Sequence, residues 1–275
     1  MNPDRSRSPL ESFGTVPTQF LAGDVPGMEQ ILAGVRGTQA GPYFRFGHPL
    51  LPPAPSPGSP LIDIGGGSGG WAVHARDKGW SVTVVDASPG RLGAVKALGF
   101  SALRHDLNLP LPFPEASFGA AVMTEVIEHI PMAERLLAEA ARLLCPGGVA
   151  VLTTPNNAYY KRRIRALQGR TPDDEGVHFR FFVRKKLLRM VEEAGFRLRG
   201  WNSYGTVPLL DRLLLRKWRG RERTLMAIPV GLEALLADRF VWQLEKADCA
   251  AGPTRRRGAA CRAVDSGGSE HAARS

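Results

Sequence analysis

The stretch that decides the fold is Leu61-Ile-Asp-Ile-Gly-Gly-Gly-Ser-Gly-Gly-Trp71, in which a short apolar run meets a dense set of glycines. The pattern predicts a strand that ends near Ile64, a tight turn, and a helix over Trp71–Lys78. Glycines are needed where a backbone turns sharply and where a ligand lies against bare main chain. The first turn of the helix then offers backbone N–H groups to that ligand. The stretch therefore predicts a cofactor-binding loop.

Two glycine motifs overlap in this loop. Gly65, Gly67 and Gly70 satisfy G-x-G-x-x-G, the motif of dinucleotide-binding folds. The stretch from Asp63 to Gly69 also satisfies D-x-G-x-G-x-G, which resembles motif I of the class I S-adenosylmethionine (SAM)-dependent methyltransferases. A pyrophosphate is an anion and disfavours a nearby carboxylate, whereas the sulfonium and ammonium groups of SAM favour one. Asp63 therefore distinguishes the two interpretations.

Length and composition indicate one sizeable globular core with appendages. The chain has 275 residues, of which 43% are hydrophobic, and no apolar run in it approaches the ~20 residues of a membrane span. Met1–Pro9 lacks the apolar segment of a signal peptide. Cys145, Cys249 and Cys261 are scattered and predict neither a metal cluster nor a disulfide framework. We therefore expect a cytoplasmic protein.

The net charge of +10, from 36 basic and 26 acidic residues, raises the question of a nucleic-acid partner. The excess is mostly arginine, spread through the chain and concentrated in the tail. We interpret it as a compositional bias, so nucleic acid is the less favoured partner and a small-molecule acceptor the preferred one. Nothing in the sequence indicates an oligomeric state.

Three parts follow from the pattern along the chain. Residues 1–60 are an N-terminal arm or lid with a Pro-rich linker, and residues 249–275 are a disordered basic tail. The arm is expected either to cover the cofactor or to pack its aromatic side chains on the sheet. Residues 61–248 form the domain that resembles the methyltransferases.

Strands and helices alternate along this domain. The predicted strands are Leu61–Ile64, Ser81–Asp86, Ser101–His105, Ala120–Thr124, Val149–Thr153, Phe196–Trp201 and Phe240–Lys246. The predicted helices are Gly70–Gly79, Ser88–Leu98, Met132–Leu144 and Val183–Ala194. Such alternation predicts a doubly wound, mostly parallel α/β sheet of the Rossmann-like type. A count of seven strands, with the last antiparallel, is what the resemblance implies.

The resemblance becomes specific in the order of several further motifs. Asp86 ends the second strand, where a carboxylate accepts from both ribose hydroxyls of a nucleoside. Asp106, with Leu107 beside it, follows the third strand and matches the family position at the adenine. The motifs that follow are Pro112-Phe-Pro-Glu-Ala-Ser-Phe118, Thr124-Glu-Val-Ile-Glu-His-Ile130, Leu144-Cys-Pro-Gly-Gly-Val149 and Thr154-Pro-Asn156. The set is similar to the UbiG-like, type-11 branch of the class I methyltransferases over about Leu61–Gly195.

The resemblance implies a role for each residue of a cofactor site. The glycines turn the backbone under SAM, Asp63 supports the loop and the cationic methionyl end, Asp86 binds the ribose, and Asp106 binds the adenine. The full candidate set is Asp63, Gly65, Gly67, Gly69, Asp86, Asp106, Leu107 and Glu125. A dehydrogenase explains the glycines and Asp86 but gives Asp63 and Asp106 no role.

A Glu-x-x-Glu-His segment supplies the candidate catalytic residues. Glu125, Glu128 and His129 are spaced i, i+3, i+4 and would share one side of a helical turn. Similar segments bind divalent metal in ubiquinone O-methyltransferases and small-RNA 2′-O-methyltransferases, with a further downstream histidine whose place His178 takes here. These four residues are candidate ligands for Mg²⁺ or Mn²⁺, and their nitrogens suit a transition ion better. In the alternative, Glu125 flanks the cofactor, while Glu128, His129 and His178 face the acceptor without metal and His129 packs, caps or acts as the base.

The function that we predict is methyl transfer from SAM, foremost to an oxygen of a small-molecule or lipid-like metabolite. Three alternatives stay open at this point. They are an RNA 2′-O-methyltransferase with a Glu/Glu/His/His metal site, an NAD-dependent oxidoreductase, and a non-catalytic partner protein with the SAM-binding fold.

Overall fold

The computed structural model describes residues 41–171, 178–206 and 226–247, together with Val35 and Gln39. The described strands are β1 (Ser59–Ile64), β2 (Trp80–Asp86), β3 (Ser101–Arg104), β4 (Phe118–Thr124), β5 (Leu144–Pro155), β6 (Phe196–Trp201), β7 (Tyr204–Gly205), β8 (Met226–Ala227) and β9 (Ala237–Lys246). The described helices are α1 (Pro42–Gly47), α2 (Gly70–Asp77), α3 (Pro89–Ala97), α4 (Ala133–Leu143), α5 (Tyr160–Leu167), α6 (Arg184–Glu193) and α7 (Val230–Leu236). Single 3₁₀ turns lie at His48–Leu50 and Ile127–His129.

All of these strands belong to one sheet in the order β3-β2-β1-β4-β5-β9, with β6 and β7 along the far side of β9 and β8 beyond β7. Strands β1 to β5 are mutually parallel, and β9 runs antiparallel to both β5 and β6. The predicted doubly wound, mostly parallel sheet is therefore confirmed, including its antiparallel last strand. The two-residue strands β7 and β8 are additions that the sequence pattern did not indicate.

Two apolar layers cover the two faces of the sheet, because side chains alternate along each strand. One layer packs α4 and α6 against the sheet through residues that include Ile62, Met123, Leu136, Leu137, Leu187 and Val191. The other packs α2 and α3 against the opposite face through residues that include Leu61, Val84, Trp71, Ala75, Leu92 and Val95. The carboxyl ends of β1, β2, β3 and β4 meet at one edge, where the candidate site lies.

The described part of the N-terminal arm packs beside α2. The ring of Phe44 in α1 lies 5.1 Å from Trp71 and 5.2 Å from His74, between ring centroids. The ring of Phe46 stacks on Tyr204 at 4.8 Å. These two aromatics thus follow the second of the two expectations for the arm, which was packing on the sheet. Residues 1–34 lie outside the described part of the chain.

Helix α5 is not among the helices predicted from the sequence. Its buried residue is a charged one, Arg162, whose Nη1 donates to the carbonyl of Asn156 at 3.3 Å and lies 3.6 Å from Asp238 Oδ1. Tyr160, Ile164 and Leu167 follow helical spacing, but Ile164 and Leu167 are exposed, so polar contacts rather than a buried apolar face hold this helix.

Smaller departures concern β5 and the C-terminal third. Strand β5 begins at Leu144 rather than at the predicted Val149, because Leu144 pairs with Phe118 across a bulge. Residues 207–225 and the predicted basic tail at 249–275 lie outside the described part of the chain. No helix within the described ranges is long and apolar enough to cross a membrane.

Candidate active site

The glycine loop uses three left-handed backbone conformations, with φ of 71° at Gly65, 56° at Gly67 and 84° at Gly69. A side chain at Gly65 would also collide with Val126, whose nearest methyl lies 2.4 Å from the position of an added Cβ. At Gly67 an added Cβ would meet nothing within 4 Å. Gly65 therefore serves packing within the loop, whereas Gly67 presents bare backbone to open space.

Asp63 lies fully buried directly beneath this loop. A Cβ added at Gly66 would lie 2.5 Å from Asp63 Oδ2. Within the described part of the chain, neither carboxylate oxygen of Asp63 has a hydrogen-bond partner. Burial, and secondly the charge of Asp86, raise the pKa of Asp63 to about 7. An unpartnered buried carboxylate is costly, so the site favours a proton or a cationic ligand next to Asp63.

Asp86 connects the loop to the start of α3. Its Oδ2 accepts from the Gly67 N–H at 3.1 Å, and its Oδ1 accepts from the Ser88 N–H at 2.8 Å. Arg91 Nη1 lies 3.8 Å from the same Oδ2. Each carboxylate oxygen keeps a further lone pair for an incoming hydroxyl. Asp86 can therefore accept from a ligand diol while it holds the loop.

Asp106 lies just beyond β3, which neighbours β2. Its side chain is exposed, and its Oδ1 accepts from the Asn108 N–H at 2.9 Å and from Asn108 Nδ2 at 2.8 Å. Leu107 is partly buried against the core. The His105 N–H donates to the Asp86 carbonyl at 3.2 Å. The structure thus brings Asp106 to the same sheet edge as Asp86, in a position open to solvent.

Glu125 follows β4 in a left-handed conformation with φ of 53°, which is rare for a residue with a side chain. Its Oε1 accepts from Thr153 Oγ1 at 2.9 Å, and its Oε2 accepts from Arg239 Nε at 2.9 Å. Because of this backbone turn, Glu125 does not continue into the 3₁₀ turn that holds Glu128 and His129. The expected alignment of all three side chains on one helical side does not form.

Glu128, His129 and His178 do come together, with one potential ligand atom of each within 4.8 Å of the others. The two imidazole rings lie 4.7 Å apart between centroids. The chain near His178 is fixed because the N–H groups of Phe179 and Arg180 donate to the Glu128 carbonyl at 2.9 and 3.1 Å. Of the predicted four-residue metal set, the structure thus assembles three and leaves Glu125 outside.

The Glu128 carboxyl group is almost completely buried. Its Oε2 accepts from Thr154 Oγ1 at 3.0 Å, and its Oε1 has no partner among the described residues. Burial, and secondly the charge of Glu125, raise the pKa of Glu128 to about 8. The Glu128 carboxyl group can therefore exchange a proton near neutral pH, and its ionised form can bind a cation.

Sequence reasoning missed Arg239, Thr153 and Thr154. Thr153 and Thr154 end a buried strand, where they look like ordinary β-branched residues. Arg239 lies 114 residues after Glu125 and reaches it only because β9 pairs with β5. A local pattern carries no signal for such a contact; only the strand order of the fold would have indicated it.

Comparison with known proteins identifies the relatives of this chain. A family model described as a methyltransferase domain matches residues 36–199. An uncharacterized methyltransferase of Mycobacterium avium is 34% identical over 99 residues, which are 35% of this chain and 39% of that protein. The chain thus spans well under half of that relative. A ubiquinone biosynthesis O-methyltransferase of Aeromonas salmonicida is 27% identical over 174 residues, covering 58% of this chain and 72% of the relative.

Solved structures agree on the fold. A SAM-dependent methyltransferase from Mesorhizobium loti superposes with a TM-score of 0.54 at 18% identity, covering 75% of this chain and 99% of that one. A possible histamine N-methyltransferase from Thermotoga maritima gives 0.53 at 18% identity, covering 80% and 98%. The family model spans more than half of the chain and includes the glycine loop, the edge carboxylates and the histidine cluster. The chain belongs to the methyltransferase-domain family.

Proposed function

We propose that this chain binds SAM at the carboxyl edge of β1 to β4 and transfers its methyl group, foremost to an oxygen of a small-molecule or lipid-like acceptor. The observation that carries the proposal is the buried carboxylate of Asp63, which lies next to Gly66 beneath the glycine loop and has no hydrogen-bond partner among the described residues. A dinucleotide pyrophosphate would be repelled there, whereas a sulfonium and an ammonium would be stabilised.

The residues present fit SAM, which supplies an electrophilic methyl group on its sulfonium. Gly67 offers an unobstructed backbone, Asp86 accepts from the ribose hydroxyls, and Asp63 provides negative charge for the methionyl end. Asp106 accepts from the adenine amino group and Leu107 packs beside the ring. Methyl transfer is an in-line displacement, so the main task of these residues is to fix the geometry of the reacting pair.

Glu128, His129 and His178 are proposed to face the acceptor. Either imidazole can take a proton from an acceptor hydroxyl, and Glu128 lies beside both of them. The relative named as a ubiquinone biosynthesis O-methyltransferase supports an oxygen acceptor. A demethylmenaquinone methyltransferase of Tropheryma whipplei, 26% identical over 174 residues, shows that the acceptor of a relative can be a quinone ring of another kind.

A divalent metal fits the same three side chains. The orphaned Glu128 Oε1 and two imidazoles within 4.8 Å form a mixed oxygen and nitrogen donor set that suits Mn²⁺ better than Mg²⁺. Such an ion would lower the pKa of a bound acceptor hydroxyl. We expect Mn²⁺ to bind the purified protein by calorimetry and H178A to abolish binding. Full methyl transfer in the presence of EDTA would exclude a metal requirement.

The experiment that tests the cofactor is calorimetric titration with S-adenosylhomocysteine, with NADH as the control ligand. Micromolar affinity, equivalent to about −8 kcal/mol, is expected for the wild type. D86A removes both the ribose acceptor and the Gly67 contact, and it should abolish binding. Binding of NADH instead would contradict the proposal, and binding of neither ligand would favour a non-catalytic partner protein.

An RNA 2′-O-methyltransferase is the second candidate, favoured by the net charge of +10 together with the histidine cluster. Electrostatic binding to RNA weakens steeply with salt, because counterions are released from the phosphates. Methylation of short RNA with a salt-dependent affinity would therefore support this candidate. If RNA does not bind, or binds with an affinity that is insensitive to salt, this candidate is contradicted and the small-molecule acceptor is favoured.

A further inference from the structure

Arg239 is a largely buried cation that has no assigned role in the proposed cofactor site or acceptor site. It lies on β9 opposite Pro155 of β5 on one side and Tyr204 of β7 on the other, so its backbone is fixed between two strands. Its Nε donates to Glu125 Oε2 at 2.9 Å, and the two side chains are only 11% and 23% exposed. The pair is thus largely withdrawn from water, where a charged hydrogen bond is strong.

Glu125 is held from three directions. Its N–H donates to both the carbonyl and the Oγ1 of Thr153, each at 3.1 Å, and Thr153 Oγ1 in turn donates to Glu125 Oε1 at 2.9 Å. Arg239 holds the other carboxylate oxygen. A left-handed residue other than glycine persists only where its surroundings impose it, and such residues cluster at functional sites. Thr153 and Arg239 are the surroundings that impose it here.

Arg239 also contacts a second carboxylate, that of Asp238. Its Nη1 lies 3.4 Å from Asp238 Oδ1, and the same oxygen lies 3.6 Å from Arg162 Nη1 in α5. Alternating charges therefore run from the end of β4 to α5. Removing Arg239 would interrupt this row and leave two carboxylates without their shared cation.

We propose that Arg239 is a positioning residue that fixes the Glu125 carboxylate at the cofactor edge of the sheet, so that cofactor affinity depends on it. The inference rests on the proposed SAM site, because Glu125 is its candidate residue at the end of β4. Arginine is suited to this task because its Nε addresses Glu125 while Nη1 reaches Asp238.

The test is a double-mutant cycle with S-adenosylhomocysteine as the ligand. The affinity of the wild type, R239M, E125Q and R239M/E125Q is measured by calorimetry. We expect R239M to weaken binding about tenfold, as for loss of a hydrogen bond to a charged group. Because Arg239 acts through Glu125, R239M should cost little further affinity once E125Q is present. If R239M lowers the affinity equally in the wild-type and E125Q backgrounds, the inference is overturned.

Two controls separate positioning from stability. Arg199 of β6 pairs with Glu245 of β9 and is 58% exposed, so R199M removes a more exposed arginine–glutamate pair away from the site. R199M should leave the affinity unchanged. R239K retains the charge and should recover part of the affinity; it replaces R239M in the cycle if R239M does not fold. A fall in melting temperature with unchanged affinity would assign Arg239 a structural role and contradict the inference.

The failure of the inference can be distinguished from failure of the proposed function. If the wild type does not bind S-adenosylhomocysteine, the cofactor proposal itself is wrong. If the wild type binds it and R239M binds equally well, the cofactor proposal stands and only the role of Arg239 is refuted.

Discussion

At the scale of single residues, Asp63 has the least satisfied environment in the site. Its carboxylate is buried beneath the loop without a partner among the described residues, and burial together with Asp86 raises its pKa to about 7. In the free protein near pH 7, the group is therefore about half protonated. A cationic ligand lowers this pKa again, so ligand binding and proton release are coupled.

We therefore predict that S-adenosylhomocysteine, whose ammonium remains cationic, releases up to about half a proton on binding near pH 7. The release is obtained from calorimetry in buffers of different ionisation enthalpy. D63N should abolish the release and weaken binding about tenfold. D106N changes an exposed carboxylate at the same edge and should leave the proton release as it is. Release that is unaffected by D63N would assign the proton to another group.

The second prediction at this scale concerns Gly67. An alanine there adopts a left-handed conformation at a cost of about 1–2 kcal/mol, and its methyl group enters the space proposed for the cofactor. Gly147 provides a matched control, because its φ is 72° and an added Cβ also meets nothing within 4 Å. G67A and G147A should lower stability alike in urea unfolding. Only G67A should lose affinity for S-adenosylhomocysteine; equal affinity in both variants would contradict the proposed position of the cofactor.

At the scale of elements, the core strands and helices α2, α3, α4 and α6 follow from local patterns. Apolar alternation and β-branched residues identify β1, β2 and β4, and the Leu/Ala spacing of α4 identifies that helix. Helix α5 was not predicted, although its few apolar residues have helical spacing, because four of its eight residues are Lys or Arg, and β7 was not predicted because two residues carry no periodicity. The left-handed turn at Glu125 and the contact with Arg239 depend on strand pairing, which no local pattern encodes.

Helix α7 is the clearest element held by a long-range polar contact. Glu233 is fully buried and accepts from Trp242 Nε1 at 2.7 Å, from Arg184 Nε at 2.9 Å and from Ser203 Oγ. These contacts join α7 to α6, to β9 and to the chain just before β7. Asn156 Nδ2 also donates to the carbonyls of Glu233 and Ala234, so polar contacts rather than a buried apolar stripe hold this helix.

We predict that E233A lowers the free energy of unfolding by about 3 kcal/mol, because it leaves the partly buried guanidinium of Arg184 and the buried indole N–H of Trp242 without their acceptor. Urea unfolding measures the change. E193A is the control, since Glu193 is 58% exposed and pairs with exposed Arg189. Its effect should stay within about 0.5 kcal/mol. A small effect of E233A would mean that other contacts, such as those of Asn156, hold α7.

At the scale of the whole molecule, the cofactor edge combines strand ends with buried carboxyl groups. The parallel strands end there together, and two of their carboxyl groups, Asp63 and Glu128, are buried without full hydrogen bonding. Ligands are expected to compensate both groups when they bind. The free energy of unfolding of the unliganded protein therefore depends on pH.

The sign of this dependence follows from the two pKa values. The pKa of Asp63 is raised from 3.8 to about 7, and the pKa of Glu128 is raised from 4.5 to about 8. The folded state therefore binds more protons than the unfolded state between about pH 4 and pH 8. Both groups then contribute stability that is fully present below about pH 4 and is lost as the pH rises through 7 and 8. Each pKa unit corresponds to about 1.4 kcal/mol, so the total loss is several kcal/mol.

We predict that D63N and E128Q become more stable relative to the unliganded wild type as the pH rises from about 4 to about 8.5, since an amide has no charge to bury. Urea unfolding at several pH values gives the difference. E139Q should show no such gain, because hydrogen bonds from Arg142 lower the pKa of Glu139 and keep its carboxylate ionised across this pH range. Saturating S-adenosylhomocysteine should reduce the D63N difference, since its ammonium stabilises the ionised Asp63. A stability difference that stays constant with pH would mean that neither buried carboxyl group titrates in this range. The stability of the fold would then not be coupled to the charge of the ligand.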